Sequence, residues 1–445
     1  MKKNLLLLLL MAGLTVSFFS CSDDDDADAY KTYEVATRLI YPSGSDFEPA
    51  ADVSVTLTNQ VNGDAFEAKT DSKGIATFHI PAGVYNAAVT DTRSSNGVAI
   101  IFNGSKSSIT VTSSWKSDDQ IQVELVASQG GNLIIKELYI GGCLKDDNSG
   151  SYYNDKYMIL YNNSDVAMEL GDVCLGLIDP YNGHATNNDY VNGVLEYEAK
   201  GWIPAGSGFW YFPEDVNPVL QPGEQLVIAL NNAINNTTVY SNSINYENTS
   251  YYTTYDPASF TNTSQYTLPT VIPAEHYLKA FRFSLGNSWV LSQMSPAVFI
   301  FIPQGTTLDA FTNDVSTTVD PSASLTRKKV EVEWVVDGIE VFKADATNQK
   351  RLTATIDAGY VNHTSSLGYT LYRNVDKEAT EAIEGNAGKL VYGYSLGTTE
   401  VVNGTTDPSG IDAEASIKNG ARIIYKDTNN SSNDFHQRSR ASLRN

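Results

Sequence analysis

The sequence predicts an all-β protein that is built from two β-sandwich units. Short runs rich in Val, Ile, Thr, Tyr and Phe recur along the chain, and clusters of Gly, Pro, Asn, Asp and Ser separate them. Helix signals are few, because only residues 376–383 have the pattern of one or two helical turns. We expect the first unit at residues 30–128 and the second at residues 132–438, joined by a short glycine-containing hinge.

The first unit alternates apolar and polar residues in the way that is typical of half-buried strands. Strands are predicted at residues 53–57, 76–80, 84–90, 107–111 and 120–126. Between them, the segment TDSKGIATFHIPAGVYNAAV resembles the carboxypeptidase-regulatory or prealbumin-like sandwich. This resemblance implies a non-catalytic spacer that separates an anchor from a second domain.

The second unit begins with three apolar runs, at residues 133–140, 157–161 and 173–178, which we expect to form strands. These runs, together with the closing segments 366–373 and 422–435, resemble the lamin-tail-like domain, an immunoglobulin-type β-sandwich. The resemblance implies an elaborated sandwich, because the unit is too long for a bare domain of this family and needs long insertions. Further buried strands are predicted at residues 220–230, 298–302, 330–336 and 339–342, with a hairpin turn at Asp337-Gly338.

One insertion, residues 231–266, differs in composition from the rest of the second unit. It is rich in Asn and Tyr and has almost no aliphatic residues that could form a core, so we expect an exposed loop or lid. The C-terminal residues 439–445 carry arginines without acidic residues, and we predict a disordered tail there.

The N-terminus has the features of an export signal. Residues 1–20 combine two lysines with an apolar run too short to span a bilayer, which predicts a signal peptide. Ser20-Cys21 resembles a lipobox, which implies acylation of Cys21 and a lipid anchor in the outer membrane. The acidic residues 21–29 form a solvated tether, and they resemble the surface-export signal of Bacteroidota lipoproteins. The alternative is an ordinary signal peptide that a chance cysteine follows.

Charge and cysteine content limit the partners. The formal net charge of −22 argues against nucleic acid and against electrostatic binding to anionic lipid, since both require basic surfaces. Cys143 follows the first predicted strand of the second unit, and Cys174 lies on the third. An oxidising compartment permits a disulfide between them, but two separate buried thiols fit the sequence equally well.

No catalytic residue, metal site or cofactor is predicted. Residues 393–397, GYSLG, have the pattern of a nucleophile elbow, and Asp427 and His436 follow in the order of a hydrolase triad. The residues after Gly397 do not favour the helix that this motif requires, so we interpret the segment as a glycine-flanked strand. The five histidines are isolated from one another and from the cysteines.

Five aromatic residues are candidates for ligand binding: Trp202, Trp210, Tyr251, Tyr252 and Tyr255. Exposed aromatic rings stack on sugars and planar ligands, and neighbouring amides supply hydrogen bonds. For the two tryptophans, alternation along a strand favours the core instead. The tyrosines are the stronger candidates, because their segment has no evident core to join.

These features lead to the hypothesis of a non-catalytic binding protein on the cell surface, held in the outer membrane through Cys21. The whole-chain arrangement also resembles an uncharacterised family of Bacteroidota lipoproteins. That resemblance implies a TonB-dependent transporter and its ligand as partners. One alternative is a structural or adhesive surface component, which predicts self-association. The other is an enzyme that degrades extracellular polymers, which predicts carboxylates or a triad converging in one cleft.

Overall fold

The computed structural model describes residues 31–42, 51–95, 98–116, 119–128, 132–319, 326–398 and 406–444. The predicted signal peptide, Cys21 and the acidic tether lie outside these residues. Within them, no helix is long and apolar enough to cross a membrane. Strands account for 38% and helices for 10% of the structure, so the prediction of an all-β fold is confirmed.

The first unit is a β-sandwich. Its described strands are β1 (Thr32–Ile40), β2 (Ser54–Asn59), β3 (Ala65–Lys69), β4 (Ile75–Pro81), β5 (Gly83–Ser95), β6 (Val98–Val111), β7 (Gln120–Glu124) and β8 (Val126–Ser128). A sheet of order β4-β1-β7 faces a sheet of order β3-β2-β5-β6-β8. Alternate residues such as Val55, Phe78 and Val89 point into a single core between the two sheets, as the sequence pattern predicts.

The second unit contains more numerous and shorter elements. Its described strands are β9 (Leu133–Tyr139), β10 (Cys143–Leu144), β11 (Ser151–Tyr152), β12 (Tyr157–Asn162), β13 (Met168–Glu169), β14 (Cys174–Leu177), β15 (Tyr190–Val191), β16 (Val194–Leu195), β17 (Trp202–Gly206), β18 (Gly208–Tyr211), β19 (Val219–Leu220), β20 (Gln225–Ala229), β21 (Tyr252–Thr254), β22 (Tyr277–Arg282), β23 (Ala297–Phe301), β24 (Thr318–Val319), β25 (Arg327–Glu331), β26 (Val335–Lys343), β27 (Val361–His363), β28 (Thr370–Arg373) and β29 (Phe435–Arg438). Its α-helices are α1 (Leu308–Asn313), α2 (Lys377–Glu381), α3 (Ala413–Lys418) and α4 (Ser431–Asp434).

Twelve of these strands form one sheet of order β27-β26-β23-β14-β18-β22-β21-β20-β12-β9-β28-β29. Apolar residues from both halves of the sheet, including Leu160, Trp210 and Ile300, meet in one inner core. The sheet therefore curls around that core in a sandwich-like arrangement. Its ends come together, since the Asp337 carboxylate on β26 accepts a hydrogen bond from the Ile135 amide on β9 at 2.6 Å.

The outer face of the sheet is also covered. The small sheet β17-β25-β24 and α1 pack over β14, β18 and β23, where Phe209 and Phe301 are buried. Residues 231–276 cover β12 and β20, and residues 374–398 and 406–426 cover β12 and β28. Burial on both faces explains why every residue of β9 and β12 is buried and why neither strand alternates apolar with exposed polar residues.

The predicted hairpin at Asp337-Gly338 is wrong, because β26 runs straight through both residues. Buried Asp337 pairs with Arg373 of β28, which supplies the partner that a carboxylate needs inside a protein. The closing strand also lies later than expected. It is β29, which follows α4, whereas residues 422–425 are not a strand.

The expectation of an exposed loop at residues 231–266 is wrong. This segment contributes β21, which lies in the middle of the large sheet and pairs in parallel with β20 and β22. Its buried residues Ile244, Tyr246, Phe260 and Tyr266 join the inner and outer cores. Tyrosine rings thus supply the apolar volume that the segment lacks in aliphatic residues.

The prediction of a disordered tail is also wrong for the described residues 439–444. Ala441 is buried, and Leu443 packs against the same outer core as Tyr157. The Ser442 amide donates a hydrogen bond at 3.0 Å to the buried carboxylate of Glu137, and its hydroxyl donates to the same group. A buried carboxylate requires such donors, and the tail provides them.

Candidate binding site between the two units

The structure separates the five aromatic candidates. Trp210 is fully buried in the inner core against Phe260 and Tyr266, so it is a core residue. Trp202 lies at the start of β17 on the opposite side of the sheet, where its ring packs 5.7 Å from that of Tyr197. Alternation along the strand, which favours a core position, therefore predicts the burial of Trp210 correctly.

The three tyrosines lie together around β21, and all of them are half-buried. The ring of Tyr252 stacks on His276 with centroids 4.1 Å apart, and Tyr255 packs edge-on against Tyr277 at 5.2 Å. Tyr251 packs against the outer core. Because neighbouring side chains already cover these rings, the cluster exposes only parts of the rings. It does not present an open aromatic face on which a ligand could stack.

Of the two alternatives for the cysteines, the structure has the separate thiols, and it lacks the geometry of a hydrolase triad. Cys143 on β10 and Cys174 on β14 are both free and buried. Burial raises the pKa of the Cys143 thiol to about 12. His436 is hydrogen-bonded to Tyr394 and Asn374, not to a serine or an aspartate. The described residues also contain no group of three or more His, Cys, Asp or Glu side chains that could hold a metal ion.

A cleft of about 870 Å³ lies between the two units. One wall is the outward face of the first unit's five-stranded sheet. Strand alternation turns the apolar residues of β2, β5 and β6 into the core and presents polar ones such as Thr56, Asn86 and Thr110 to the cleft. The wall is therefore an ordered array of short polar side chains on a rigid sheet.

The opposite wall belongs to the second unit. The β15–β16 hairpin turns at Asn192-Gly193, where both residues have positive φ, of 52° and 82°. It brings Tyr190 to the cleft. Tyr360 lies deeper on this wall, with its ring stacked on Phe342 at a centroid distance of 4.2 Å. Asn430 at the start of α4 completes this wall.

Polar contacts join the two units at and beside the cleft. The amide of Asn430 donates to the Thr90 hydroxyl at 2.7 Å, and the amide of Asn103 donates to the Thr428 carbonyl at 2.6 Å. The hydroxyls of Tyr190 and Tyr360 interact with Ser107 and Thr58 of the first unit. Burial raises the pKa of both tyrosines, so both hydroxyls stay protonated and can donate hydrogen bonds.

Buried carboxylates support this wall from behind. Asp434 accepts hydrogen bonds from the Thr428 amide at 2.8 Å and the Asn430 amide at 3.2 Å. Asp357 accepts from the amide and hydroxyl of Ser431 at 2.8 and 2.6 Å. Burial raises the pKa of both carboxyls, that of Asp434 to about 6. These bonds fix the loop that contacts the first unit.

The cleft carries little net charge. Its described lining contains two acidic and two basic side chains: Glu67, Glu198, Lys106 and Lys350. Both ammonium groups donate to backbone carbonyls, Lys106 to Gln122 at 3.2 Å and Lys350 to Gly359. The balance of two acids and two bases contrasts with the net charge of −22 for the whole chain.

Sequence reasoning missed every residue of this cleft. The Asn192-Gly193 dipeptide between apolar residues is a strong hairpin signal and could have placed Tyr190 on an exposed hairpin. Tyr360 and Asn430 carry no comparable signal. Their position depends on the packing of one unit against the other, which no local pattern reveals.

Comparison with known proteins gives two matches. Residues 221–391 match a family model described as a protein of unknown function, DUF4876. The crystal structure of a DUF4876 family protein from Bacteroides thetaiotaomicron is similar, with a TM-score of 0.52 and 18% sequence identity. The similarity covers 93% of this chain and 97% of that chain. No curated protein matches the chain.

At this identity, the structural similarity shows the fold alone. Together, the two matches support a relationship to an uncharacterised Bacteroidota family, which is the coarse part of the resemblance seen in the sequence. The pairing of a prealbumin-like with a lamin-tail-like domain, and the lipid anchor, stay predictions.

Proposed function

We propose that this chain is a lipid-anchored protein of the cell surface that binds an extracellular ligand without altering it chemically. The observation that carries this proposal is the cleft of about 870 Å³ between the units. Its size lies within the range of ligand-binding clefts. Its walls stand on paired strands and on a loop that buried carboxylates hold, so the polar groups are already in position before a ligand arrives.

The anchor and the direction of transfer are part of the same proposal. Acylation of Cys21 would hold the chain in the outer membrane. A TonB-dependent transporter is the partner that would take the captured ligand onward. The described lining of the cleft offers hydroxyl and amide groups, which can hold a ligand through hydrogen bonds.

The anchor is tested by metabolic labelling with an alkyne analogue of palmitate. We expect label on the wild-type chain and none on Cys21→Ala, with loss of the protein from intact cells after external protease treatment. Absence of label on the wild type, or protection from protease, would contradict the proposed location.

The binding site is tested by blocking the cleft. Ala88 lies on β5 within the wall, between Thr56 of β2 and Ser105 of β6. We expect Ala88→Trp to abolish retention of soluble extracellular polymers on the immobilised full chain, measured in parallel with dextran, polygalacturonate and casein-derived peptides. The exposed Ala387→Trp is the matched control and should bind as the wild type does.

Two outcomes would contradict this proposal. Equal binding by the wild type and Ala88→Trp would place the ligand elsewhere. Absence of binding to all probes, together with concentration-dependent oligomers in sedimentation velocity, would favour the structural or adhesive alternative.

A further inference from the structure

We infer that the cleft is specific for a neutral, polyhydroxylated chain such as an oligosaccharide. This inference rests on the proposed function and names the ligand class for the same site. Three properties of the cleft carry it: the kind of polar groups that line it, the absence of a charge preference, and the pairing of the backbone in its wall.

The lining is dominated by short neutral hydrogen-bonding side chains. Nine serines or threonines and six asparagines or glutamines line the cleft. A hydroxyl both donates and accepts, and an amide offers each function on a separate atom. Neighbouring strands are about 4.8 Å apart, and residues on one face of a strand repeat at about 7 Å. Such a grid fits a ligand that carries hydroxyl groups at many positions, because almost any orientation finds a partner.

Aromatic rings are present beside this grid. Trp115 lines the cleft and is half-buried, and its indole N–H already donates to the Glu34 carbonyl at 3.0 Å. Its remaining contact surface is the ring itself. Tyr190 and Tyr360 line the other wall. Aromatic faces combined with hydroxyl and amide groups suit a ligand that has both apolar C–H surfaces and hydroxyls.

Charge argues against ionic ligands. An acidic polymer would need a surplus of basic groups, but two glutamates, Glu67 and Glu198, balance the ammonium groups of Lys106 and Lys350 in the lining. A cationic ligand would need a surplus of acids, and Glu198 already accepts a hydrogen bond from the Ala354 amide at 3.1 Å. With two acids and two bases in the lining, neither sign of ligand gains electrostatic energy.

Backbone pairing argues against an extended peptide. Peptides commonly bind to sheets by adding a strand to an exposed edge, where free N–H and C=O groups pair with them. The wall of the cleft is instead a sheet face, on which β5 is paired with β2 on one side and with β6 on the other. Such a face presents side chains and no free ladder of backbone groups.

The experiment measures the affinity of the full chain for dextran, for polygalacturonate and for casein-derived peptides, by retardation in affinity electrophoresis. We expect retardation by the neutral polymer and none by the other two. The double variant Thr56→Ala/Asn86→Ala removes hydrogen-bonding groups from the wall and should weaken binding about tenfold. Thr77→Ala/His79→Ala changes two exposed residues of β4 in the other sheet and should leave the affinity unchanged.

Stronger retardation by polygalacturonate than by dextran would overturn the inference. So would an affinity for dextran that the double variant keeps while it retains the wild-type unfolding temperature. Peptide binding that Ala88→Trp abolishes, without any glycan binding, would overturn the ligand class but leave the proposed function standing. Absence of any cleft-dependent binding would overturn both.

Discussion

The two units bury their sheets in different ways. In the first unit, each sheet has one face in a single core and one face turned outward, so buried and outward-facing residues alternate along strands such as β2 and β4. In the second unit, the large sheet is covered on both faces, and every residue of β9 and β12 is buried. A sheet that is covered on both faces leaves its polar side chains no access to solvent. They must therefore find hydrogen-bond or charged partners inside the protein.

The second unit satisfies this requirement with buried charge pairs. Arg351 and Glu340 are both fully buried, and their atoms Nη2 and Oε1 lie 2.6 Å apart. Lys136 on β9 donates to Glu414 at 2.8 Å and lies over the rings of Tyr161, Tyr372 and Tyr425. The Lys136–Glu414 pair attaches a covering segment to the sheet, because its two residues are 278 positions apart in the sequence.

Breaking one buried charge pair should destabilise the second unit strongly. Arg351→Met leaves the carboxylate of Glu340 buried with only two backbone amide donors. We expect the free energy of unfolding of the second unit to fall by roughly 3–5 kcal/mol. Urea denaturation measures the change.

The matched control removes a surface pair from the same unit. Lys200 and Glu196 lie 3.1 Å apart, and both are about half exposed. Lys200→Met should cost no more than about 1 kcal/mol. Similar losses of unfolding free energy for both variants would mean that the buried pair stabilises the protein no more than a surface pair does. Buried charge pairs would then not distinguish the second unit from the first.

The pH dependence of stability tests the same contrast through buried histidines. Burial lowers the pKa of His436 to about 3 and that of His363 to about 4. As the pH falls below 6.5, the unfolded chain takes up protons that the folded chain excludes. The stability that each neutral histidine contributes is therefore complete above pH 6.5 and is lost as the pH falls towards the folded value.

For His436 alone, the expected loss between pH 6.5 and pH 4 is about 3 kcal/mol. His436→Gln removes this loss, so its unfolding free energy should fall less steeply than that of the wild type over this interval. The exposed His79→Gln of the first unit is the control and should follow the wild type. Parallel curves for wild type and His436→Gln would contradict the prediction.

Buried aspartates act in the opposite direction. Burial raises the pKa of Asp337 to about 7 and that of Asp434 to about 6, so their contribution is complete at low pH and is lost as the pH rises through these values. Both residues are common to the wild type and the histidine variant. Their effect therefore cancels in the difference between the two curves.

A smaller effect is expected where the two units meet. Asn103 is buried and donates to the Thr428 carbonyl across the interface at 2.6 Å. Asn103→Ala removes this bond and should weaken the coupling between the units by about 1–2 kcal/mol. Calorimetry should then resolve two unfolding transitions that lie further apart than in the wild type. The exposed Asn188→Ala should leave their separation unchanged.

Local sequence patterns predicted those strands whose burial is visible within the strand itself. Alternation predicted β2 and β4, and runs made mostly of apolar residues predicted β9, β12 and β23, because burial on one or two faces determines the residue pattern within a single strand. The capped turn at residues 376–383 is confirmed as α2, with the side chain of Asp376 accepting a hydrogen bond from the Ala379 amide.

Long-range partners explain the failures. Asp337-Gly338 has the composition of a turn, but Arg373 supplies a buried partner that allows Asp337 to stay inside a strand. The tail was expected to be disordered, yet Ser442 is needed by Glu137, 305 residues away. The cleft was not predicted because it also depends on long-range partners. Tyr360 and Thr58, for example, meet only after both units have folded.

The smallest effect is expected from reduction. Cys143 and Cys174 are separate thiols, and burial raises the pKa of both, so neither forms a reactive thiolate at neutral pH. A reductant should leave the unfolding temperature of the Cys21→Ala chain unchanged. A thiol reagent should label no cysteine in the folded protein and two after denaturation. A lower unfolding temperature under reduction would show that a disulfide joins β14 to the segment after β9. The ends of the curled sheet would then have to meet in a different arrangement.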